Sequence, residues 1–237
     1  MSSRLIVFLL ALIVFIPTLK ATSLDFTITA STDSMFRGTT GTDHGVAIFG
    51  NTDFNHELIS NILSVNLGTL ATNVPASSGK IEQDYYGTFA FNLTNDFFIS
   101  PAFTYYSYYY LGTNNTFEYG ISLGHKLLNA GAYYTDNYNG FKTSSTCYQL
   151  KGNVDLPSGV NANLAVEGGY LTYGDERRTA WSNYSYYVVS LSRTIDSRTF
   201  VLSFSDTIKR REVYSDGSKS SNNYQDQAIF ASGIQRF

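Results

Sequence analysis

Four carboxylates and one amine occupy positions from which they could set the charge of an interior: Glu82, Asp84, Glu118 and Glu167, together with Lys151. Each falls on the polar side of a segment whose other side is apolar. If those polar sides line one lumen, the charged row tunes ion selectivity, and the excess of acids favours cations. The same groups could instead form a satisfied polar network that fills a narrow bore, with Lys151 as the partner of a neighbouring acid. Arg37, flanked by Phe36 and Gly38, stands where a first segment gives way to a loop. At that rim it could pair with a lumen carboxylate or contact a lipid headgroup.

Other chemistries lack their constellation. His44 lies in a loop, and His56 and His125 lie in or near turns at the opposite end, so no Ser/His arrangement is specified. Three scattered histidines and the lone Cys147 give no metal-ligand spacing. The glycines occur singly, without a phosphate-cradling loop. No catalytic residue, metal or cofactor is therefore expected, and the chain does not read as an enzyme. Asn92-Leu93-Thr94, Asn114-Asn115-Thr116 and Asn183-Tyr184-Ser185 match the glycosylation pattern, as an Asn-rich sequence will by chance. Asp175-Glu176-Arg177-Arg178 and Lys209-Arg210-Arg211-Glu212 put mixed charge just beyond segment ends, where the cations could contact an anionic surface but read first as solvated loop charges.

The elements that would position the charged row are about twelve segments of about ten residues, in which apolar residues alternate with polar or small ones. Ile81, Tyr85, Phe89 and Phe91 oppose Glu82, Asp84, Thr88 and Asn92; Phe117, Tyr119, Ile121 and Leu123 oppose Glu118, Gly120, Ser122 and Gly124. In the eighth segment Tyr148, Leu150 and Val154 oppose Cys147, Gln149, Lys151 and Asn153. The links alternate between tight ones, such as Gly124-His125-Lys126 and Thr194-Ile195-Asp196-Ser197, and long polar ones, such as Thr135 to Ser144 and Ile208 to Gln225. Strict alternation means that every second crossing ends on the same side. It predicts a closed, antiparallel, up-and-down transmembrane β-barrel of about twelve strands, all-β in class. The first strand is expected over Leu24 to Phe36, followed by a loop from Gly38 to Gly45. Pro101, inside the fifth strand, cannot donate to a ladder, so a bulge or gap is expected there. The tyrosines of the same strand, up to Tyr110, are placed to form an interfacial girdle.

Composition agrees with a membrane barrel. The 237 residues include 19 Tyr and 17 Phe but only 15% charged residues, against about 25% in ordinary soluble domains. Met1 to Ser23 reads as a signal peptide: Arg4 precedes the apolar run Leu5 to Ile16, which falls short of the roughly 20 residues of a membrane helix. Cleavage after Ser23 would leave residues 24–237 as the barrel domain, with 14 basic and 19 acidic residues, and cleavage after Ala21 fits the pattern equally. Such a mildly acidic chain gives no reason to expect nucleic acid. One cysteine excludes an intrachain disulfide. The final strand, Ala228 to Phe237, ends on an aromatic residue with Gly233, Ala231 and Ile229 on the same face, although Gln235 interrupts that row. Phe237 thus looks like the assembly signal of outer-membrane proteins, making the barrel-assembly machinery and outer-membrane lipid expected partners.

Asp33-Ser34-Met35-Phe36-Arg37-Gly38, Ile81-Glu82-Gln83-Asp84-Tyr85-Tyr86-Gly87, Phe103-Thr104-Tyr105-Tyr106-Ser107-Tyr108-Tyr109, Phe117-Glu118-Tyr119 and Tyr133-Tyr134-Thr135-Asp136 resemble, in order, the TorF family of porins of Gram-negative bacteria. Gln83 departs from the pattern, standing where the family has an apolar residue. The resemblance implies an outer-membrane barrel with a transport role and carries over no catalytic residues. The expected function is passive diffusion of small polar solutes or ions. A structural or adhesive barrel whose loops bind partners, and a secreted soluble β-sandwich, are the rival readings.

Overall fold

A computed structural model describes residues 21–74, 81–109, 112–157, 162–222 and 226–237. The expected leader up to Lys20 lies outside the described residues, as do Tyr110, Val160 and Gln225. The strands are β1 (Ala21–Ser31), β2 (Met35–Phe36), β3 (Thr39–Thr40), β4 (Ala47–Ile59), β5 (Leu63–Asn73), β6 (Ile81–Asn92), β7 (Phe97–Tyr108), β8 (Thr116–His125), β9 (Leu128–Thr135), β10 (Ser145–Asp155), β11 (Ala162–Tyr173), β12 (Tyr184–Ile195), β13 (Arg198–Ile208) and β14 (Ala228–Arg236). All but β2 and β3 join one closed antiparallel barrel of twelve strands, in the order β1-β14-β13-β12-β11-β10-β9-β8-β7-β6-β5-β4. The barrel closes where Thr27 to Ser31 pair with Arg236 to Ser232, and the Phe237 N–H donates to the Phe26 carbonyl at 3.0 Å. Closure removes free sheet edges, which hydrocarbon would leave without partners.

Among the described residues, links 60–62, 93–96, 126–127 and 196–197 gather at one end, together with 156–157 after β10, and the longer links gather at the other. Period two puts the apolar rows outside. Tyr119, Ile121 and Leu123, Tyr148, Leu150 and Val154, and Phe200 and Leu202 are all exposed, whereas Glu118, Cys147 and Ser203 are buried within. An oily exterior around a polar interior inverts the soluble rule, which removes the β-sandwich reading and fits a barrel that crosses a membrane. Among the described residues no helix is long and apolar enough to do so.

Two expectations about β7 receive different answers. Its pairing with β6 lapses between Thr88↔Ala102 and Phe91↔Ile99 and resumes in the same register, so Pro101 makes a gap without a bulge. Its tyrosine run does not form a girdle as a block. Tyr106 and Tyr108 face the lumen, and the outer belt near the long-link end is instead shared among Tyr85, Tyr119, Tyr134, Tyr148 and Tyr170 on five strands. Gln83 shares the outward side with Tyr85 and donates to Thr69 Oγ1 at 2.6 Å.

Inward aromatic rings lie flat against glycines of the next strand. A Cβ on Gly68 would come within 2.3 Å of the Tyr86 ring, one on Gly169 within 2.4 Å of Tyr186, and one on Gly124 within 2.0 Å of Phe98. Glycine inside a strand weakens it, and here it provides the close approach that keeps bulky rings along the wall.

Candidate functional site

The chain between β1 and β4 departs from its expected course. β1 ends at Ser31, and the next residues form a separate two-stranded hairpin in which Met35 pairs with Thr40 and Phe36 with Thr39. Its tip is Arg37-Gly38, with φ of 52° and 77°. Two consecutive left-handed residues define the tight turn whose twist matches a β-hairpin, and Gly38 accepts that conformation without cost. This hairpin folds into the lumen, so Phe36, Arg37 and Gly38 do not stand at the rim. Arg37 and Gly38 are both buried.

The physical reason is a charge pair across the bore. Arg37 Nη1 and Nη2 donate to Glu118 Oε2 and Oε1 of β8 at 2.8 and 2.7 Å, with both side chains almost fully enclosed. Such fork-to-carboxylate geometry gives directional strength that a lysine could not reproduce. Burial alone would lower the Arg37 pKa, but the Glu118 carboxylate beside it outweighs that effect and holds it above the ordinary guanidinium range. The Tyr106 hydroxyl donates to Glu118 Oε1 at 3.3 Å, and the guanidinium lies 4.6 Å from the Phe36 ring centroid and 5.5 Å from that of Tyr133. On the opposite wall, the Tyr184 hydroxyl donates to the Arg37 carbonyl at 3.3 Å. A Cβ on Gly38 would sit 2.4 Å from Tyr186 Cβ and 3.1 Å from Thr207 Cγ2. The hairpin is thus a crossbar, tied to β8 on one side and seated on β12 and β13 on the other.

The remaining charged candidates divide around this bar. Glu82 and Asp84 line a cavity of about 810 Å³ shared with Glu118, Tyr86, Tyr106, Tyr108, Phe36 and Arg37. Lys151 and Glu167 lie on β10 and β11, where Lys151 Nζ is 3.1 Å from Glu167 Oε2. Gln149 Nε2 donates to Glu167 Oε1 at 2.5 Å and to the Tyr186 hydroxyl at 2.8 Å, so this second group is knitted into the wall beneath Gly38. Cys147 is buried beside Tyr186 as a small wall residue. Phe237 is exposed at the short-link end, far from the crossbar. Among the described residues no group of three His, Cys, Asp or Glu side chains is placed to hold a metal ion.

Two more groups complete the lumen, and the sequence signals only the first, through the polar face that Asn51 and Asp53 share opposite Phe54. Asp53 and Asn51 of β4 accept from the Tyr86 hydroxyl at 2.7 and 2.8 Å, adding an acid to the wall. The base of the hairpin is held by His44, Asp33 and Asp226, in which His44 Nδ1 is 2.9 Å from Asp33 Oδ2 and Nε2 is 3.2 Å from Asp226 Oδ1. No spacing in the sequence signals that trio, because Asp226 enters from just ahead of β14. Arg210, expected as a solvated loop charge, is largely enclosed; it stacks over Trp181 at 4.0 Å and reaches Asp226 at 3.4 Å.

Among solved structures the barrel is similar to an outer membrane channel from Pseudomonas putida F1, with a TM-score of 0.55, 8% identical residues, and 93% of this chain and 97% of that one covered. It is likewise similar to KdgM porin, with a TM-score of 0.53, 10% identity, and 90% and 99% of the two chains covered. NanC porin gives 0.50, 11%, 90% and 98%. At these identities the likeness establishes a shared barrel fold. No family model and no curated protein matches the sequence.

Proposed function

We propose that the chain is a porin-like channel of the Gram-negative outer membrane, passing small polar solutes or ions down their gradients and preferring cations, and that it is a TorF-type porin. The observation that carries this reading is the acid-lined cavity beside the crossbar, inside a closed barrel whose outer surface is apolar. Glu82 and Asp84 set the local field there, while Arg37 neutralises Glu118 and Lys151 neutralises Glu167. The solved barrels of similar fold include an outer membrane channel and two porins, which supports transport and this location. Export by the N-terminal segment places both termini in the periplasm and the longer links outside, with Phe237 presented to the assembly machinery. Nothing in this reading requires an enzyme activity or a cofactor.

Purified protein in planar bilayers tests the proposal. Discrete conductance steps, with a reversal potential displaced toward the cation in a salt gradient, are the expected result. Correctly folded barrels that stay electrically silent would refute it. Silence would favour the second reading, a non-conducting structural or adhesive barrel, for which the Arg37–Glu118 crossbar is the specific supporting observation.

A further inference from the structure

We infer that Glu118 is a recognition site for a guanidinium-bearing solute and that Arg37 is its built-in occupant, so that a solute which takes the carboxylate unseats the crossbar and opens its own path; this rests on the channel reading above. The site is already filled with the group it would select. Two guanidinium nitrogens meet the two Glu118 oxygens at 2.8 and 2.7 Å, the Tyr106 hydroxyl donates to one of those oxygens, and the Tyr133 ring flanks the cation. Glu118, Tyr106 and Tyr133 all belong to wall strands, so they stay in place when the hairpin leaves. A planar fork engages two oxygens at once and lies against a ring, whereas a primary ammonium offers a point charge.

The occupant is not part of the wall. β2 and β3 form a sheet of their own, and their tip is held by the Glu118 pair, the Tyr184 bond to the Arg37 carbonyl and the seat of Gly38 on Tyr186. The base is tied separately, because the Thr40 N–H donates to Asp226 Oδ2 at 3.2 Å. The tip can therefore swing while the base stays.

A row of acids leads to the site. Glu82 and Asp84 of β6 lie opposite Tyr108 and Tyr106 of β7, and Tyr106 lies opposite Thr116 of β8, two residues before Glu118. From the long-link end the acids thus descend along the wall as Glu82, Asp84 and Glu118, all lining the cavity of about 810 Å³. Among the described residues Glu82 and Asp84 have no ion-pair partner, in contrast to Glu118 and Glu167. A solute reaches Glu118 only once Arg37 has left, so all its affinity for that carboxylate favours the released state. Its competitor is tethered, with an effective concentration on the order of millimolar or above, and displacement needs solute in that range.

Cys147, the only cysteine, supplies a readout that needs no current. It is fully enclosed, opposite Tyr133, which flanks Arg37, and beside Tyr186, on which Gly38 rests. The full mature chain, folded in detergent, is treated with a water-soluble maleimide in methylguanidinium, methylammonium or sodium chloride at matched ionic strength, and the same salts are compared in planar bilayers. Methylguanidinium at about ten times the effective concentration is expected to speed labelling on the order of tenfold and to raise open occupancy, the other salts changing neither. Arg37→Met and Glu118→Gln should label quickly without solute and gain nothing from it. A wild type whose labelling ignores methylguanidinium while either variant labels quickly overturns displacement. Variants that label as slowly as wild type overturn the hairpin as a removable occupant, and equal acceleration by methylammonium overturns selection of the guanidinium. Methylguanidinium-dependent labelling with silent bilayers would retain the site and refute the channel.

Discussion

Replacing Arg37 by Met removes the charge and keeps much of the side-chain volume, so it isolates the pair with Glu118. In the native barrel that carboxylate receives two guanidinium N–H groups at 2.8 and 2.7 Å and one longer bond from Tyr106. Both partners are less than one-tenth exposed, and removing one member of so enclosed a pair costs about 3–5 kcal/mol. At about 1.4 kcal/mol per tenfold, that shifts the balance between seated and released hairpin by roughly two to more than three powers of ten. The Tyr184 bond to the Arg37 carbonyl and the seat of Gly38 on Tyr186 remain. They hold the tip less firmly without the cation, and the released hairpin lets water reach Glu118. Planar-bilayer recordings of Arg37→Met are therefore expected to show larger or longer openings and a stronger cation preference, because Glu118 becomes an uncompensated negative charge in the bore. The double variant Arg37→Met, Glu118→Gln should keep the larger openings and lose the added selectivity. If Arg37→Met gives wild-type conductance and reversal potential, or if the two substitutions act additively on selectivity, the crossbar pair does not govern permeation.

Gly38→Ala forces a Cβ to within 2.4 Å of Tyr186 Cβ at a φ of 77°, so it should unseat the same tip from the other wall, at about 1–2 kcal/mol for the backbone conformation alone; openings should lengthen without a change in ion preference. Lys151→Met leaves Glu167 without its ion-pair partner and should move the reversal potential further toward the cation, the hairpin staying seated. Leu150→Arg puts a charge on the exposed outer row of β10 near its middle, and refolding into lipid vesicles should reveal a loss of about 2–4 kcal/mol; no loss would deny that this row meets hydrocarbon.

The barrel was largely legible in the sequence because side-chain period and link length are local properties. The alternation of Phe117, Tyr119, Ile121 and Leu123 with Glu118, Gly120, Ser122 and Gly124 depends only on the pleat, and β8 follows it from Thr116 to His125. The tight links at 93–96, 126–127 and 196–197 were equally visible. The first loop departs from its local pattern. Alternation predicts one strand over Leu24 to Phe36, yet Asp33 and Ser34 break the pairing, and the short strand at Met35 and Phe36 belongs to another sheet. Arg37-Gly38 could have been recognised as a hairpin tip, but neither residue shows which way a hairpin bends.

That direction is set by partners remote in sequence. Arg37 and Glu118 stand 81 residues apart and meet because the barrel curls β8 around to face the loop after β1. His44 and Asp226 meet because closure of β14 onto β1 brings the two ends of the chain together. The sequence by itself determined a twelve-stranded barrel with an oily outside and an acidic inside, since those follow from alternation along each strand. Tertiary structure alone decided which charges are neutralised and where the bore is crossed, since Coulomb pairing depends on distance across the lumen and no local pattern encodes it.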